Sequence, residues 1–349
     1  MSNKNSPKLE LWYTLGPASL GKERELLLKG ATGVRLTFGF GTAALQYERA
    51  IHIKELASQI GQRCLVIADL NGEKYRLGSF EREATIQVAA GTNIHLILAQ
   101  KTDPSTEKVV LPIPNRNFFS YLKKGTIITI GDGGANLLVT SLDGDEAYAE
   151  MMADGVINHC RGLNIREGDF DPCSLTEKDL QDLEHILSVP VYDIVALSFV
   201  GSENDILKAR ELAAKANRQI QILAKIETAS GVTNIESICR VADLVMAARG
   251  DLGLAIPWIE LPSAVQQIAS YANSTSTPWI LATQIVEGLD RFSIPTRAEI
   301  CDLARWLQEG CSGILLSTET GFGSRPLDAV AYTSLMLNRW GNPEKSIYK

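Results

Sequence analysis

The sequence has no C-x-x-C pair, and its six cysteines (Cys64, Cys160, Cys173, Cys239, Cys301 and Cys311) are scattered along 349 residues. That spacing excludes a zinc ribbon or a disulfide framework and suits thiols kept reduced. His159, Cys160 and Cys173 come nearest to a metal-binding group. They lack ligand spacing and read as isolated structural or surface residues. No run of about 18 apolar residues occurs, so no transmembrane helix is expected. Residues 1–8 are polar with no apolar core of a leader, and a cytoplasmic protein without membrane contact is expected. Positive charge is also short. With 34 basic against 41 acidic residues the net charge is −7. This argues against broad nucleic-acid binding, while a local basic pocket for phosphate stays open. Internal repeats and low-complexity tracts are lacking as well.

What is present is a large apolar core. Apolar residues make up 45% of the chain, and the mean hydropathy is near zero. The length suits one domain of ~200–250 residues and a smaller one. Eight short β-rich apolar runs alternate with helical patterns: 9–15, 33–38, 64–69, 194–199, 220–226, 243–247, 279–283 and 313–316. Strands alternating with helices predict a parallel sheet buried on both faces, and eight of them suit a closed (β/α)8 TIM barrel. The rhythm breaks after the third run. A β-rich segment follows, in which 94–98 reads as a strand. There, 126–130 and 136–140 flank Gly131-Asp-Gly-Gly134, a hairpin signal. The predicted organisation is an α/β barrel from residues 1–76 and 162–349, with a small all-β domain, residues 77–161, inserted after the third strand. Ser174–Glu177 and Thr296–Glu299 read as capping boxes at helix starts. Leu183, Ile186 and Leu187 follow the first at helical spacing, and a last helix is expected over 327–339.

Barrel sites form at the C-terminal strand ends. Thr14, Arg35, Thr37, Asp69, Ser198, Lys225, Glu227, Arg249, Asp251, Thr283, Gln284 and the run Ser317–Thr320 all fall there. Lys225 and Glu227 are two apart and project to one side of their strand. Glu227 and Asp251, from adjacent strands, suit Mg2+ or Mn2+, with substrate and water completing the shell. Lys225 and Arg35 add positive charge suited to phosphate or carboxylate. Gly250 and Gly253 let backbone approach a ligand. The competing reading of Lys225, Glu227 and Asp251 is a set of structural ion pairs. Their convergence with the other polar strand ends favours a site.

Six segments in register then resemble the pyruvate kinase family over nearly the whole chain. They are Thr14–Ser19, Leu223–Glu227, Ala248–Gly253, Ala282–Gln284, Pro295–Glu299 and Leu316–Thr320. The resemblance implies that Glu227 and Asp251 bind the catalytic divalent cation. Lys225 would stabilise the transferring phosphoryl group, Arg35 would contact phosphate, and Thr283 would lie near the carbon where enolpyruvate is protonated. The amides of Gly250 and Asp251 would hold the substrate carboxylate, and Ser198 would join the substrate-binding set. Arg76 and Arg161 would serve the nucleotide phosphates. Asp132 resembles an aspartate of the inserted domain that approaches the nucleotide-bound metal.

The departures from the family are specific. Its potassium site maps to Thr37, Gly39, Asp69 and Leu70, of which only Asp69 is retained. Lys74 stands where potassium-dependent members carry Glu. Lys74 with Asp69 would therefore substitute for the monovalent cation, and potassium would not be required. Phe40, Phe322 and Gly201 replace a His, a Lys and an Arg of the family. No counterpart of the C-terminal regulatory domain follows, so control through it is not expected, and a monomer or small homo-oligomer is. The leading expectation is phosphoryl transfer between phosphoenolpyruvate and ADP or another acceptor, with ADP/ATP and pyruvate or a related small acid as ligands. One alternative is a nucleotide-free, metal-dependent enolate enzyme, a pyruvate-forming lyase or decarboxylase. The other is a non-catalytic regulatory homologue.

Overall fold

The computed structural model describes residues 9–81, 85–105, 109–131, 133–166 and 172–342. The chain divides into two compact units. One comprises Met1–Gly72, Cys173–Gly250 and Pro262–Lys349; the other comprises Glu73–Pro172 with Asp251–Leu261.

The first unit is a closed barrel of eight parallel strands. In chain order they are Glu10–Thr14, Gly33–Thr37, Leu65–Asp69, Ile194–Leu197, Gln221–Ile226, Leu244–Ala248, Trp279–Ala282 and Gly313–Leu316. The expected runs match these strands to within a residue or two at each end. Closure is made by the first strand, which pairs with both the second and the eighth. Strands such as Glu10–Thr14 and Leu244–Ala248 are buried at every position, as a sheet covered on both faces requires.

Alternate residues build one apolar cluster shared among the strands. It contains Trp12, Leu65, Ile67, Ile194, Ala196, Leu223, Leu244, Met246, Ala248, Ile280, Ala282 and Leu315. These positions share one parity along each strand, so they form the packed barrel interior. The second strand contributes space instead. A Cβ on Gly33 would lie 2.5 Å from Cδ1 of Trp12 and 3.2 Å from Cδ1 of Ile67. The Trp12 indole therefore fills the volume that a side chain at Gly33 would occupy, and its Nε1 donates to Oε2 of buried Glu10 at 2.9 Å.

Helix starts set the loops around the barrel. Thr296 and Glu299 form the expected capping box. The box expected at Ser174 and Glu177 lies two residues further on, where Thr176 accepts from the Asp179 amide and Asp179 reaches back to Thr176. The reason is tertiary. Oδ1 of Asp179 also accepts from the amides of Asn71 and Gly72, beyond the third strand, at 2.9 and 3.3 Å. This one carboxylate closes a helix and fixes a barrel loop. Leu183, Ile186 and Leu187 are buried as their spacing predicts, and the last helix spans Pro326–Trp340.

The second unit has its own core, with Tyr75, Phe118, Phe119, Ile128 and Leu137 among its buried residues. Its main sheet orders Leu163–Arg166, Ile127–Ile130, Ala135–Asp143, Glu146–Met151, Asn93–Leu98 and Val109–Ile113. The short helix Asn117–Ser120 accompanies the sheet. The hairpin expected around Gly131 is present, with Ala135 opposite Ile130. Gly131 and Gly133 take φ of 62° and 93°, the left-handed values for which the glycines are needed. Asp132 lies outside the described residues.

The shifted cap gives a direct expectation. Thr176→Ala should cost about 1 kcal/mol, read as a lower urea midpoint by tryptophan fluorescence. Ser174→Ala, which removes a buried hydroxyl without a hydrogen-bond partner, should stay within about 0.5 kcal/mol of the parent.

Candidate active site

The interior parity that gives the barrel its apolar layers turns polar at the C-terminal ends. Trp12 leads to Thr14, Gly33 to Arg35, Ile67 to Asp69, Ala196 to Ser198 and Leu223 to Lys225. Glu227 follows two residues after Lys225 on the same side. The sequence-predicted residues of these strands thus share one layer at the barrel mouth.

Asp69 is the centre of that layer and is 1% exposed. Its Oδ2 accepts from Nε of Arg35 at 2.7 Å and lies 2.6 Å from Nη2. Nζ of Lys225 sits 2.9 Å from its Oδ1 and 3.4 Å from Oε1 of Glu227. The other Glu227 oxygen accepts from the Phe199 amide at 2.9 Å. Burial alone would raise the Asp69 pKa, but the charges of Arg35 and Lys225 outweigh it and hold the carboxyl below its ordinary value. Burial would likewise strip Lys225 of its proton, and Asp69 and Glu227 reverse that, raising the ammonium's pKa. Asp69 and Lys225 are therefore each held charged at neutral pH in this buried contact.

The surrounding backbone is shaped to fit. Phe199 adopts φ 52° where its amide meets Glu227. A Cβ on Gly72 would come within 2.7 Å of the Phe199 ring and 3.0 Å of Ser198 Cβ. Ser198 donates its hydroxyl to the Leu70 carbonyl at 2.7 Å. Thr283 and Gln284 follow the seventh strand with φ of 69° and 52°. A Cβ on Gly250 would meet Cγ2 of Thr283 at 3.3 Å, so glycine permits the close approach of these two loops. The first and eighth strand ends are also joined: the Thr14 amide donates to Oγ1 of Thr320 at 2.9 Å. A Cβ on Gly16 would clash with the Gly321 carbonyl at 2.5 Å.

Two charged residues whose work was not visible in the sequence complete this rim. Arg249 reaches across to the carbonyls of Thr283 and Gln284 and pairs with Asp302. Glu319 is buried and accepts from the amides of Ile285, Val286 and Ser317. Burial raises its carboxyl pKa despite those amides. The only available signal was a charge beside an apolar strand end, which names no partner.

In the second unit, Arg76 and Arg161 lie on neighbouring antiparallel segments. Arg76 bridges to Gly162, and the Leu77 amide donates to the Arg161 carbonyl at 2.9 Å. Lys74 donates to both carboxylate oxygens of Asp251 at 2.9 Å. Of the two residues expected to stand in for a monovalent cation, Asp69 is thus engaged by Arg35 and Lys225, and Lys74 by Asp251. Among the described residues, no group of three or more His, Cys, Asp or Glu gathers for a metal. Of the two carboxylates expected to hold a divalent cation, Glu227 belongs to the first unit and Asp251 to the second; hard carboxylate oxygens of this kind suit Mg2+ or Mn2+.

The charge layer makes a testable statement about stability. A depressed carboxyl pKa adds stability above the unfolded Asp value of about 3.9, and this is lost as pH falls through the folded value. Asp69→Asn should cost about 3 kcal/mol at neutral pH, because it leaves buried Lys225 and partly buried Arg35 short of one anion. Urea titrations between pH 2 and 7 should show the parent losing part of its advantage over the variant at the acid end.

Comparison with known proteins yields a consistent set of relatives. A family model described as the barrel domain of pyruvate kinase matches residues 7–330. A pyruvate kinase of Agrobacterium vitis is 31% identical over 96% of this chain and 69% of its own length. One from Chlamydia pneumoniae is 33% identical over 91% of this chain and 65% of its own length. One from Bacillus licheniformis is 32% identical, covering 93% of this chain and 55% of the relative.

Proposed function

The chain belongs to the pyruvate kinase family, and on that premise we propose that it moves a phosphoryl group between phosphoenolpyruvate and ADP through Lys225, Arg35 and Thr283. The observation that carries this reading is the buried charge layer. Lys225, 6% exposed, is held as an ammonium beside Asp69 and Glu227. A fixed cation in a dry layer stabilises charge spreading over phosphoryl oxygens far better than one in water.

In the forward direction an oxygen of the ADP β-phosphate attacks phosphorus. The bond from phosphorus to the enol oxygen breaks, and the enolate left behind takes a proton at its methylene carbon to become pyruvate. Lys225 and Arg35 face the phosphoryl group, and Thr283 lies beside the carbon that is protonated. The amides of Gly250 and Asp251, with Ser198, hold the substrate carboxylate end. Glu227 and Asp251 are the carboxylates for Mg2+ or Mn2+. When bound, that ion supplies Lewis-acid stabilisation of negative charge on substrate oxygens. Arg76 and Arg161 take the nucleotide phosphates. Residues 1–76 and 162–349 act as the catalytic barrel and 77–161 as an inserted lid domain.

Lys74 and Asp69 replace the monovalent cation, so potassium is not required. No helix among the described residues is long and apolar enough to cross a membrane, in keeping with a cytoplasmic enzyme. A nucleotide-free enolate enzyme draws support only from Phe40 and Phe322, 56% and 67% exposed, where the family carries a His and a Lys. The pyruvate kinase relatives and the positive charges of Arg76 and Arg161 weigh against it.

With Mg2+ or Mn2+, pyruvate should form from phosphoenolpyruvate when ADP is supplied and not when it is left out. Pyruvate released without nucleotide would favour the lyase reading. Lys225→Met should lower kcat on the order of 10³-fold, the cost of removing a charge that acts on the transition state. In potassium-free buffer turnover should be undiminished, and strong activation by added KCl would remove the role given to Lys74.

A further inference from the structure

Thr283 and Gln284 are consecutive non-glycine residues in the left-handed region, with φ of 69° and 52°. For a β-branched threonine this is a true outlier, and each such residue costs ~1–3 kcal/mol unless its surroundings enforce it. The enforcing contacts are on both sides of the turn. Nη2 of Arg249 donates to the carbonyls of Thr283 and Gln284 at 2.7 and 3.0 Å. The next two amides, of Ile285 and Val286, both point at Oε1 of Glu319, at 2.8 and 3.3 Å. Oε2 of Glu319 is held in turn by the Ser317 amide at 2.9 Å. Glu319 is 4% exposed and accepts from these three backbone amides, while Arg249 is anchored by Asp302. One guanidinium thus holds two carbonyls of the turn, and one carboxylate holds the two amides that follow. The turn also faces Gly250, where a Cβ would sit 3.3 and 3.6 Å from Thr283 Cγ2 and Oγ1.

We propose that Glu319, acting with Arg249, is a positioning residue that holds Thr283 in its left-handed conformation so that the Thr283 hydroxyl faces the carbon being protonated. This rests on the role given to Thr283 above. Neither Glu319 nor Arg249 needs to touch substrate. Each acts through the peptide groups flanking Thr283, and the strain in the turn is what makes both necessary. A carboxylate suits the amide side because it only accepts. A carboxamide at 319 would keep one acceptor but turn an NH2 group towards one of the amides it must satisfy.

The test isolates the proton step. Hydrogen–deuterium exchange at the methyl group of pyruvate, followed by proton NMR with Mg2+ in D2O, reports proton transfer at that carbon apart from phosphoryl transfer. Glu319→Gln should slow exchange and kcat together, on the order of 10²-fold as for a reacting group displaced by about an ångström. The KM for phosphoenolpyruvate should hold. In a Thr283→Ala background, Glu319→Gln should slow exchange no further, because the hydroxyl it positions is gone. Arg249→Lys, whose single nitrogen cannot reach Asp302 and both carbonyls at once as the forked guanidinium does, should act like Glu319→Gln and serves if that variant does not fold. Thr176→Ala controls for lost stability and should leave exchange unchanged. Additive effects of Glu319→Gln and Thr283→Ala, or unchanged exchange in both Glu319→Gln and Arg249→Lys, would overturn the proposal. Unchanged exchange in Thr283→Ala alone would instead overturn the role of Thr283, and with it the purpose of the clamp.

Discussion

A carboxylate buried between a guanidinium and an ammonium is the contact on which the barrel mouth depends. Without Asp69, Arg35 and Lys225 would stand as unscreened like charges, and burial would drive the lysine towards its neutral form. With it, the apolar interior continues directly into a charged layer with no break in the strands. Glu227 extends the arrangement by tying the lysine to the fourth strand end through the Phe199 amide. Gly72, Phe199 and the Ser198 hydroxyl are then fixed by having to fit around that contact. The chemistry proposed for the chain uses charges that the fold already has to balance.

Much of this was legible in the sequence because parity is a local property. Eight apolar runs fixed the barrel, and Lys225 and Glu227 could be put on one face by counting two residues. Arg35 and Asp69 could be read as strand-end charges for the same reason. Their bond to each other could not, since it depends on the pairing of the second and third strands. The misplaced cap has the same origin. Ser174 and Glu177 satisfy the local pattern as well as Thr176 and Asp179 do, and the choice is made by two amides more than a hundred residues earlier in the chain. Glu319 and Arg249 were visible only as charges, because their partners are backbone groups of a turn whose unusual φ no residue type announces. A threonine at a left-handed position looks like any other threonine.

The departures from the family pattern fall in both environments. Leu70 and Gly201 are buried, while Phe40 and Phe322 are among the most exposed large side chains. Exchanging a charge for an aromatic ring costs little where water remains on one side, and much where a buried partner would be stranded. Lys74 belongs to neither group. It is partly exposed, yet both of its short contacts are to one carboxylate, Asp251. A cation there alters the electrostatics of a residue proposed to hold a metal, whatever else it replaces.

The other end of the barrel shows how such a scaffold changes over time. Trp12 occupies the space that Gly33 leaves free, and its indole nitrogen is satisfied by Glu10. Glu10 in turn crowds Gly313, where a Cβ would approach within 2.7 Å. These four positions, on three adjoining strands, are coupled through space. A side chain at Gly33 is accommodated only where the indole has given way, and loss of the indole leaves the carboxylate with Thr32 as its donor. Order of substitution, rather than the tolerance of any single site, governs which sequences can reach this barrel floor.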